Sequence, residues 1–502
     1  MRYGFVLDQD RCIGCHACTV ACKEENQVPV GVFRTWVKYI EKGEFPHTSR
    51  HFGVMRCNHC DAAPCIEICP TRALFRRSDG IVDFDNQRCI GCKSCMQACP
   101  YDALYIDPNT NTAAKCNFCA HRVEANMQPA CVIVCPTQAI VAGDLDDPAS
   151  RVSRMVATEK VSVRKPQKGT QPKLFYVGIE GDLLQPTRLA RQNTYAWAEQ
   201  RGSTSKQSEF SSATAREVYD VSHPAPWGWK IAAYLWTKSI AAGVLLVAAL
   251  LLTLSTSAGT ITRVISPIIA LTALGLTGLL LVVDLKRPER FLYLFTKSNF
   301  RSWLVLGGYI LMAYGLAAFL WLIRGLLGSR IPGALVACTA ALAIGSACYS
   351  AFLFAQARGR DLWQSPMFLW HLLVQAVIAG SAVLWIVAVL GHAEMQFVRR
   401  SALILLISVA ASLFMVLFEI ALPHVSEDAR LAMRSLVRGR YAFRFWALII
   451  VVGLIVPIVL SALFLMSLIS PAVAWIGPLA ALAALFSFED LWVKAGQSVP
   501  LS

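Results

Sequence analysis

Charge is what this sequence has least of. Asp, Glu, Lys and Arg make up 16% of its 502 residues, where soluble domains average about 25%, and the mean hydropathy is +0.47. A wholly water-soluble protein is excluded. The shortage is uneven: the first 220 residues are polar enough for a soluble domain, and the apolar excess lies almost wholly after residue 230. Acidic residues are the scarcer sign, which leaves a net charge of +14. No basic helix or aromatic-basic platform accompanies that charge, so no nucleic-acid partner is expected. Many of the Lys and Arg instead sit in short loops between apolar segments, where they set topology or meet lipid headgroups. The opening Met1-Arg2-Tyr3-Gly4-Phe5 carries no twin-arginine run and no apolar stretch with a cleavage site, and no export address is expected there.

The apolar part divides into eight segments, at about 231–254, 264–283, 303–323, 332–355, 366–390, 401–422, 444–466 and 471–488. Each is near the ~20 residues needed to cross a bilayer core. Small residues recur inside them, as in Ala241-Ala242-Gly243, Gly307-Gly308 and Ala379-Gly380-Ser381, which suits close helix contact in lipid. Ahead of them, a Cys-rich domain is expected over 1–145. A tail over 146–198, with the β-like run Lys173-Leu174-Phe175-Tyr176-Val177, is expected to wrap it or contact a partner. A flexible linker over 199–226 then leads to a membrane domain over 227–490.

Sixteen of the 18 cysteines fall into four sets of four: Cys12, Cys15, Cys18, Cys22; Cys57, Cys60, Cys65, Cys69; Cys89, Cys92, Cys95, Cys99; and Cys116, Cys119, Cys131, Cys135. The first and third have the bacterial ferredoxin spacing C-x2-C-x2-C-x3-C, in which a tight loop wraps three irons of a [4Fe-4S] cubane and the fourth iron is reached from elsewhere, and the third adds the trailing proline. Zinc ribbons use two C-x2-C pairs rather than runs of four. Disulfides are disfavoured at such short spacings without a secretion signal. Four complete sets imply four [4Fe-4S] clusters, each passing one electron. Three segments also repeat a pattern: Cys69-Pro70…Ala73-Leu74, Cys99-Pro100…Ala103-Leu104 and Cys135-Pro136…Ala139-Ile140. The last two cysteines, Cys338 and Cys348, are expected to be small packing residues.

The residues from Cys12 to Cys135, with Arg56-Cys57-Asn58-His59-Cys60 and Asn86-Gln87-Arg88-Cys89-Ile90-Gly91-Cys92, resemble the four-cluster subunit of DMSO reductase and polysulfide reductase complexes. The membrane half resembles the NrfD-type polysulfide-reductase anchor, through Trp227-Gly228-Trp229, Asp284-Leu285-Lys286-Arg287-Pro288-Glu289-Arg290-Phe291 and Ser302-Trp303. The two would here be fused. The fold expected is therefore an α+β, ferredoxin-like double-dicluster domain followed by an all-α bundle of about eight transmembrane helices. The resemblance implies a cluster pairing: Cys12, Cys15 and Cys18 with Cys135; Cys116, Cys119 and Cys131 with Cys22; Cys57, Cys60 and Cys65 with Cys99; Cys89, Cys92 and Cys95 with Cys69. It also implies a molybdopterin-type catalytic partner facing the first cluster and a membrane facing the last. No pterin site or flavin fingerprint stands out in this chain.

Haem b needs facing pairs of axial His. Of nine His, only His371 lies well inside an apolar segment, with His424 at an end, so no haem is expected. Quinone, ubiquinone or menaquinone, is the expected electron partner in the membrane. Polar residues within spans are functional candidates. Tyr234 and Lys238, one turn apart, lead, followed by Tyr349, His371, Gln356, Gln375 and Glu419. Asp284, Arg287 and Arg290 are expected to dock the cluster domain. With eight spans, the loops on the cluster side carry thirteen Lys and Arg against five on the other. The positive-inside rule then puts the clusters in the cytoplasm of a prokaryotic plasma membrane, although relatives of this type often face the periplasm. The expected role is an electron-transferring, membrane-anchoring subunit with no catalytic residues beyond quinone chemistry. The rival is a quinone-coupled ion-translocating module, which predicts a line of buried acidic or His residues across the bilayer.

Overall fold

The computed structural model describes residues 1–190, 215–254 and 259–502. The described residues of the polar part hold twelve short strands in chain order: β1 (Tyr3–Asp8), β2 (Thr35–Glu44), β3 (His47–Arg56), β4 (Leu74–Arg76), β5 (Val82–Phe84), β6 (Leu104–Ile106), β7 (Ala113–Lys115), β8 (Ile140–Asp144), β9 (Val161–Ser162), β10 (Leu174–Val177), β11 (Leu189–Ala190) and β12 (Ala215–Tyr219). They form two four-stranded sheets, β8-β1-β10-β9 and β11-β12-β2-β3, and two hairpins, β4-β5 and β6-β7. Each Cys-Pro repeat leads directly into a strand. After the proline, a residue in the left-handed region (Arg72, Asp102 and Gln138, φ 54°, 55° and 51°) turns the chain, and the Ala-Leu or Ala-Ile pair enters β4, β6 or β8.

The β-like run of the tail supplies β10, which pairs parallel with β1 and antiparallel with β9. The chain before residue 190 is thus woven into the cluster domain's sheet. The expected linker falls largely outside the described residues, and its last part is ordered: β12 pairs antiparallel with β2.

Among the described residues, eight helices are long and apolar enough to cross a membrane: Trp229–Leu254, Ile261–Asp284, Trp303–Leu326, Gly333–Ala355, Met367–Leu390, Met395–Ala421, Arg444–Leu465 and Pro471–Gly496. Two of the small-residue runs face each other. A Cβ on Gly243 would lie 1.8 Å from the Ala376 carbonyl, and one on Gly380 would lie 2.1 Å from the Gly243 carbonyl. The first and fifth spans therefore touch backbone to backbone, which only glycine permits. The second and seventh spans include π-helical turns at Ile261–Ile265 and Arg444–Ile455, each followed within two residues by a proline, Pro267 or Pro457, whose missing N–H breaks the regular ladder. Between the sixth and seventh spans lies an amphipathic helix, Glu427–Val437, which hydropathy alone does not reveal. Ser426 caps it by accepting from the Ala429 N–H, and it buries Leu431, Ala432, Met433 and Leu436. Cys348 is buried as expected of a packing residue, whereas Cys338 is exposed on its helix.

The two halves meet along a polar seam. Asp284 pairs with Lys93 at 2.8 Å. Arg287 Nε donates to the Thr110 carbonyl at 2.7 Å, and Arg290 donates to the carbonyls of Asn86 and Cys89 at 2.6 and 3.0 Å. All three residues expected to dock the cluster domain do so.

Candidate metal centres and membrane site

The first and third cysteine runs fold alike. Gly14 and Gly91 (φ 70° and 69°), then His16 and Lys93 (φ 60° and 64°), take left-handed conformations between successive cysteines. Left-handed turns at these positions aim backbone N–H groups inward, a nest for an anionic group. The N–H groups of Gly91 and Ala113 approach Cys89 Sγ at 3.4 and 3.3 Å, and that of Ala139 approaches Cys135 Sγ at 3.3 Å.

The fold gathers the thiols across, not along, the runs. Cys12 interacts electrostatically with Cys15 and Cys135, and Cys18 with Cys12 and Cys135. Cys22 meets Cys116, Cys119 and Cys131. Cys65 meets Cys57, Cys60 and Cys99, while Cys95 meets Cys69, Cys89 and Cys92. The members of each group stand around a space instead of converging on one point. Among the described residues, no three His, Cys, Asp or Glu side chains are placed to share a single ion. Cys69, Cys89, Cys92 and Cys95 line one shared cavity, the arrangement a polynuclear group needs if its irons each take one thiolate.

The donor chemistry fits such a group. Burial, reinforced by neighbouring thiols, pushes Cys60 and Cys92 up to about 12 and Cys99 up to about 11. Thiolates this crowded charge together only around cations. Arg56 is fully buried between two groups. It donates to Cys131 Sγ at 3.1 Å, lies near Cys18, and sits over the Phe5 ring at 4.6 Å. Its Nε and second terminal nitrogen have no protein partner among the described residues, and cluster sulfides are the acceptors that would satisfy them. Replacing Arg56 by Met removes a positive charge from beside two clusters, so it should lower the reduction potentials of two of them and leave the others in place. Redox titration followed by electron paramagnetic resonance reads this directly; unmoved potentials throughout would remove Arg56 from the electrostatics of the site.

The groups form a line. Cys18 and Cys131 interact across the first junction, Cys57 and Cys116 across the second, and Cys65 and Cys95 across the third. Cys15, in the first group, is exposed at one end. At the other end Trp227 Nε1 donates to the Cys92 carbonyl at 3.4 Å, just before the first span begins.

Below that contact lies the polar cluster of the membrane half. The Tyr234 hydroxyl and Ser350 Oγ are 2.6 Å apart, and Lys238 Nζ donates to Ser350 Oγ at 2.7 Å and to the Ala347 carbonyl at 2.9 Å. The ammonium stands 4.9 Å from the Tyr349 ring centre, and that ring rests on Gly307, where a Cβ would come within 2.1 Å. Lys238 is fully buried. His371 lies apart from this cluster: its Nε2 is 3.0 Å from Glu419 Oε2, and Glu419 Oε1 accepts from Ser365 at 2.7 Å. Gln356 accepts from the Trp303 N–H at 3.0 Å, which caps the third span. Gln375 is buried, and its Oε1 has no partner among the described residues. Sequence reasoning missed Glu489. It stands one residue beyond the expected last span, in an acidic pair that reads as a helix end. The structure buries it within electrostatic reach of Lys238, and its Oε1 has no partner among the described residues.

A cleft of about 580 Å³ opens between the halves, lined by Lys93, Asp102, His223, Lys230, Asp284 and Lys286 among others. His223 Nδ1 is 2.9 Å from Asp102, and its other nitrogen is 3.5 Å from Asp220, which also pairs with Lys38 at 3.0 Å. Burial alone would lower the imidazole, but the two carboxylates outweigh it and raise His223 to about 9. Its contribution to stability is therefore complete below the unfolded value of about 6.5 and is lost as pH rises through about 9. Hydrogen exchange over Ala215–Tyr219 should accelerate beyond the intrinsic base-catalysed rate as pH rises through that value, and His223→Gln should flatten that excess. Equal acceleration in the variant would show that the imidazole does not hold this strand.

Cysteine nests in line, docked onto eight apolar helices, define a membrane-bound iron–sulfur electron-transfer protein. Residues 3–24 match a 4Fe-4S binding domain and residues 49–145 a 4Fe-4S dicluster domain. Residues 217–499 match the polysulphide reductase, NrfD family, and the protein belongs to that family, with the iron–sulfur unit fused ahead of it. The N-terminal part is 46% identical over 202 residues to a tetrathionate reductase subunit of Salmonella typhimurium, covering 39% of this sequence and 80% of that protein. It is 41% identical over 179 residues to one of the polysulfide reductase polypeptides of Wolinella succinogenes, covering 35% and 94%. It is 35% identical over 255 residues to a putative dimethyl sulfoxide reductase iron-sulfur subunit of Halobacterium salinarum, covering 45% and 96%.

Proposed function

We propose that this chain is the electron-transfer and membrane-anchor subunit of a molybdopterin-type oxidoreductase complex, working between a catalytic partner and the quinone pool. The observation that carries this reading is the line of thiol groups, running from exposed Cys15 to the Trp227–Cys92 contact at the head of the first span. Four [4Fe-4S] clusters, bound in the sets that the thiol groups suggest, would supply one-electron relay. Cys15 and its surroundings offer the face for the catalytic partner. The names of the relatives, from tetrathionate, polysulfide and dimethyl sulfoxide reductases, support this class of assembly.

The quinone head group is assigned to Tyr234, Lys238 and Tyr349. Lys238 has three donors, and protein oxygens take two. The third is left for a quinone carbonyl. Lys238 lies nine residues into its helix, about 14 Å along the axis, at a depth that a head group entering from the cleft beside Lys93 and Lys230 reaches. His371, with Glu419, is assigned to proton delivery from the cluster side. The ion-translocating alternative is less well supported. Within the described spans the buried His371, Glu419 and Glu489 all lie near helix ends on the cluster side, and they draw no line across the bilayer. In the purified complex, a quinol analogue should reduce the iron–sulfur signals. Clusters that respond to dithionite but never to quinol would overturn the assignment.

A further inference from the structure

We infer that the groove between the cluster domain and the third and fourth spans binds the phosphate of an anionic phospholipid, which clamps the two halves of the chain together. The groove has about 1120 Å³ of space. Four arginines line it, Arg72 and Arg76 from the cluster domain and Arg301 and Arg358 from the membrane half, against two carboxylates, Asp61 and Glu67. Two positive charges remain in excess. Arg76 is fully engaged, with Asp61 and the Cys60 carbonyl. Arg358 holds only an exposed pair with Glu67 at 3.2 Å, which exchanges readily for a better anion. Among the described residues, the guanidinium groups of Arg72 and Arg301 have no hydrogen-bond or ion-pair partner; they approach the groove from its two sides.

The groove's level argues for lipid over free phosphate. Trp303 begins the third span and Gln356 caps the fourth, so both stand where helices leave the hydrocarbon. Trp303 stacks on Phe352 at 4.3 Å and Phe300 on Tyr309 at 5.8 Å. Phe300 is 60% exposed and Phe75 38%. Exposed aromatics beside unpaired guanidiniums, at the end of a membrane span, suit a ligand with a charged head and apolar chains. This inference does not depend on the quinone reading.

The test uses the full chain in nanodiscs. Phosphatidylglycerol should bind and raise the melting temperature of the cluster domain, while phosphatidylcholine should do neither. The double variant Arg72→Ala/Arg301→Ala should lose roughly 30-fold in phosphatidylglycerol affinity, at about fivefold per charge near a membrane surface. Arg72→Lys/Arg301→Lys, which keeps both charges, should retain most of it and guards against a folding defect. Arg324→Ala/Arg330→Ala, at the opposite helix ends, should change nothing. Equal affinity in the first variant and the wild type, or equal stabilisation by phosphatidylcholine, overturns the inference. So does full stabilisation by inorganic phosphate, which would make this a site for the free anion.

Discussion

Replacing Cys99 by Ala should remove the cluster held by Cys57, Cys60 and Cys65, not the one held by the cysteines of its own run. The loss expected is about four iron atoms per chain out of about sixteen. The double variant Cys57→Ala/Cys99→Ala should lose no more iron than either single one, and both singles should lack the same paramagnetic component. Cys69→Ala and Cys89→Ala should form a second matched pair. The reason is geometric. Two cysteines flank a left-handed turn, the third lies in the short helix that follows, and that helix carries the fourth thiol away at its far end, toward the neighbouring nest. Cys99 interacts with Cys57, and Cys69 with Cys89. An additive loss of about eight irons in the double variant would mean that each run fills its own cluster, and the line of groups would then have a different order.

Lys238→Met should slow quinol-driven reduction of the clusters by about 10²–10³-fold, the usual cost of removing one donor aimed at developing charge, while dithionite reduction and iron content stay unchanged. Methionine keeps the length of the side chain and removes the charge and all three donors. Two effects add. The quinone carbonyl loses its hydrogen bond, and Glu489 loses the positive charge within whose reach it is buried. Lys238→Arg preserves the charge but must fit a planar fork where Ser350 and the Ala347 carbonyl now receive a compact ammonium, so partial rescue is expected. Stopped-flow traces of cluster bleaching by a quinol analogue measure both variants. Unaltered quinol kinetics in Lys238→Met would remove this residue from the quinone site and leave it as a packing cation between the first and fourth spans.

Much of the molecule was determined by the sequence alone, because the signals are local. Eight runs of apolar residues correspond to eight helices, since a bilayer core sets a minimum length that composition reveals. Sixteen cysteines at fixed spacings declare iron–sulfur chemistry, since one short run supplies most of the thiolates a cubane takes. Asp284, Arg287 and Arg290 announce a docking loop because charge at a span end has to meet water or a partner. What only the tertiary structure decided are meetings between distant residues. Arg56 lies 75 residues from the sulfur it touches, and nothing in its neighbours predicts that it is buried between two groups. Glu489 reads as the end of a helix until packing buries it near Lys238, and Ser350 joins Tyr234 to Lys238 only because the first and fourth spans pack together. The amphipathic helix Glu427–Val437 is hidden from hydropathy because its polar half cancels its apolar half, and only a neighbouring surface tells the two faces apart. Hydrophobic length and ligand spacing are properties of one segment of chain; burial, charge pairing and the order of the thiol groups are properties of several segments at once.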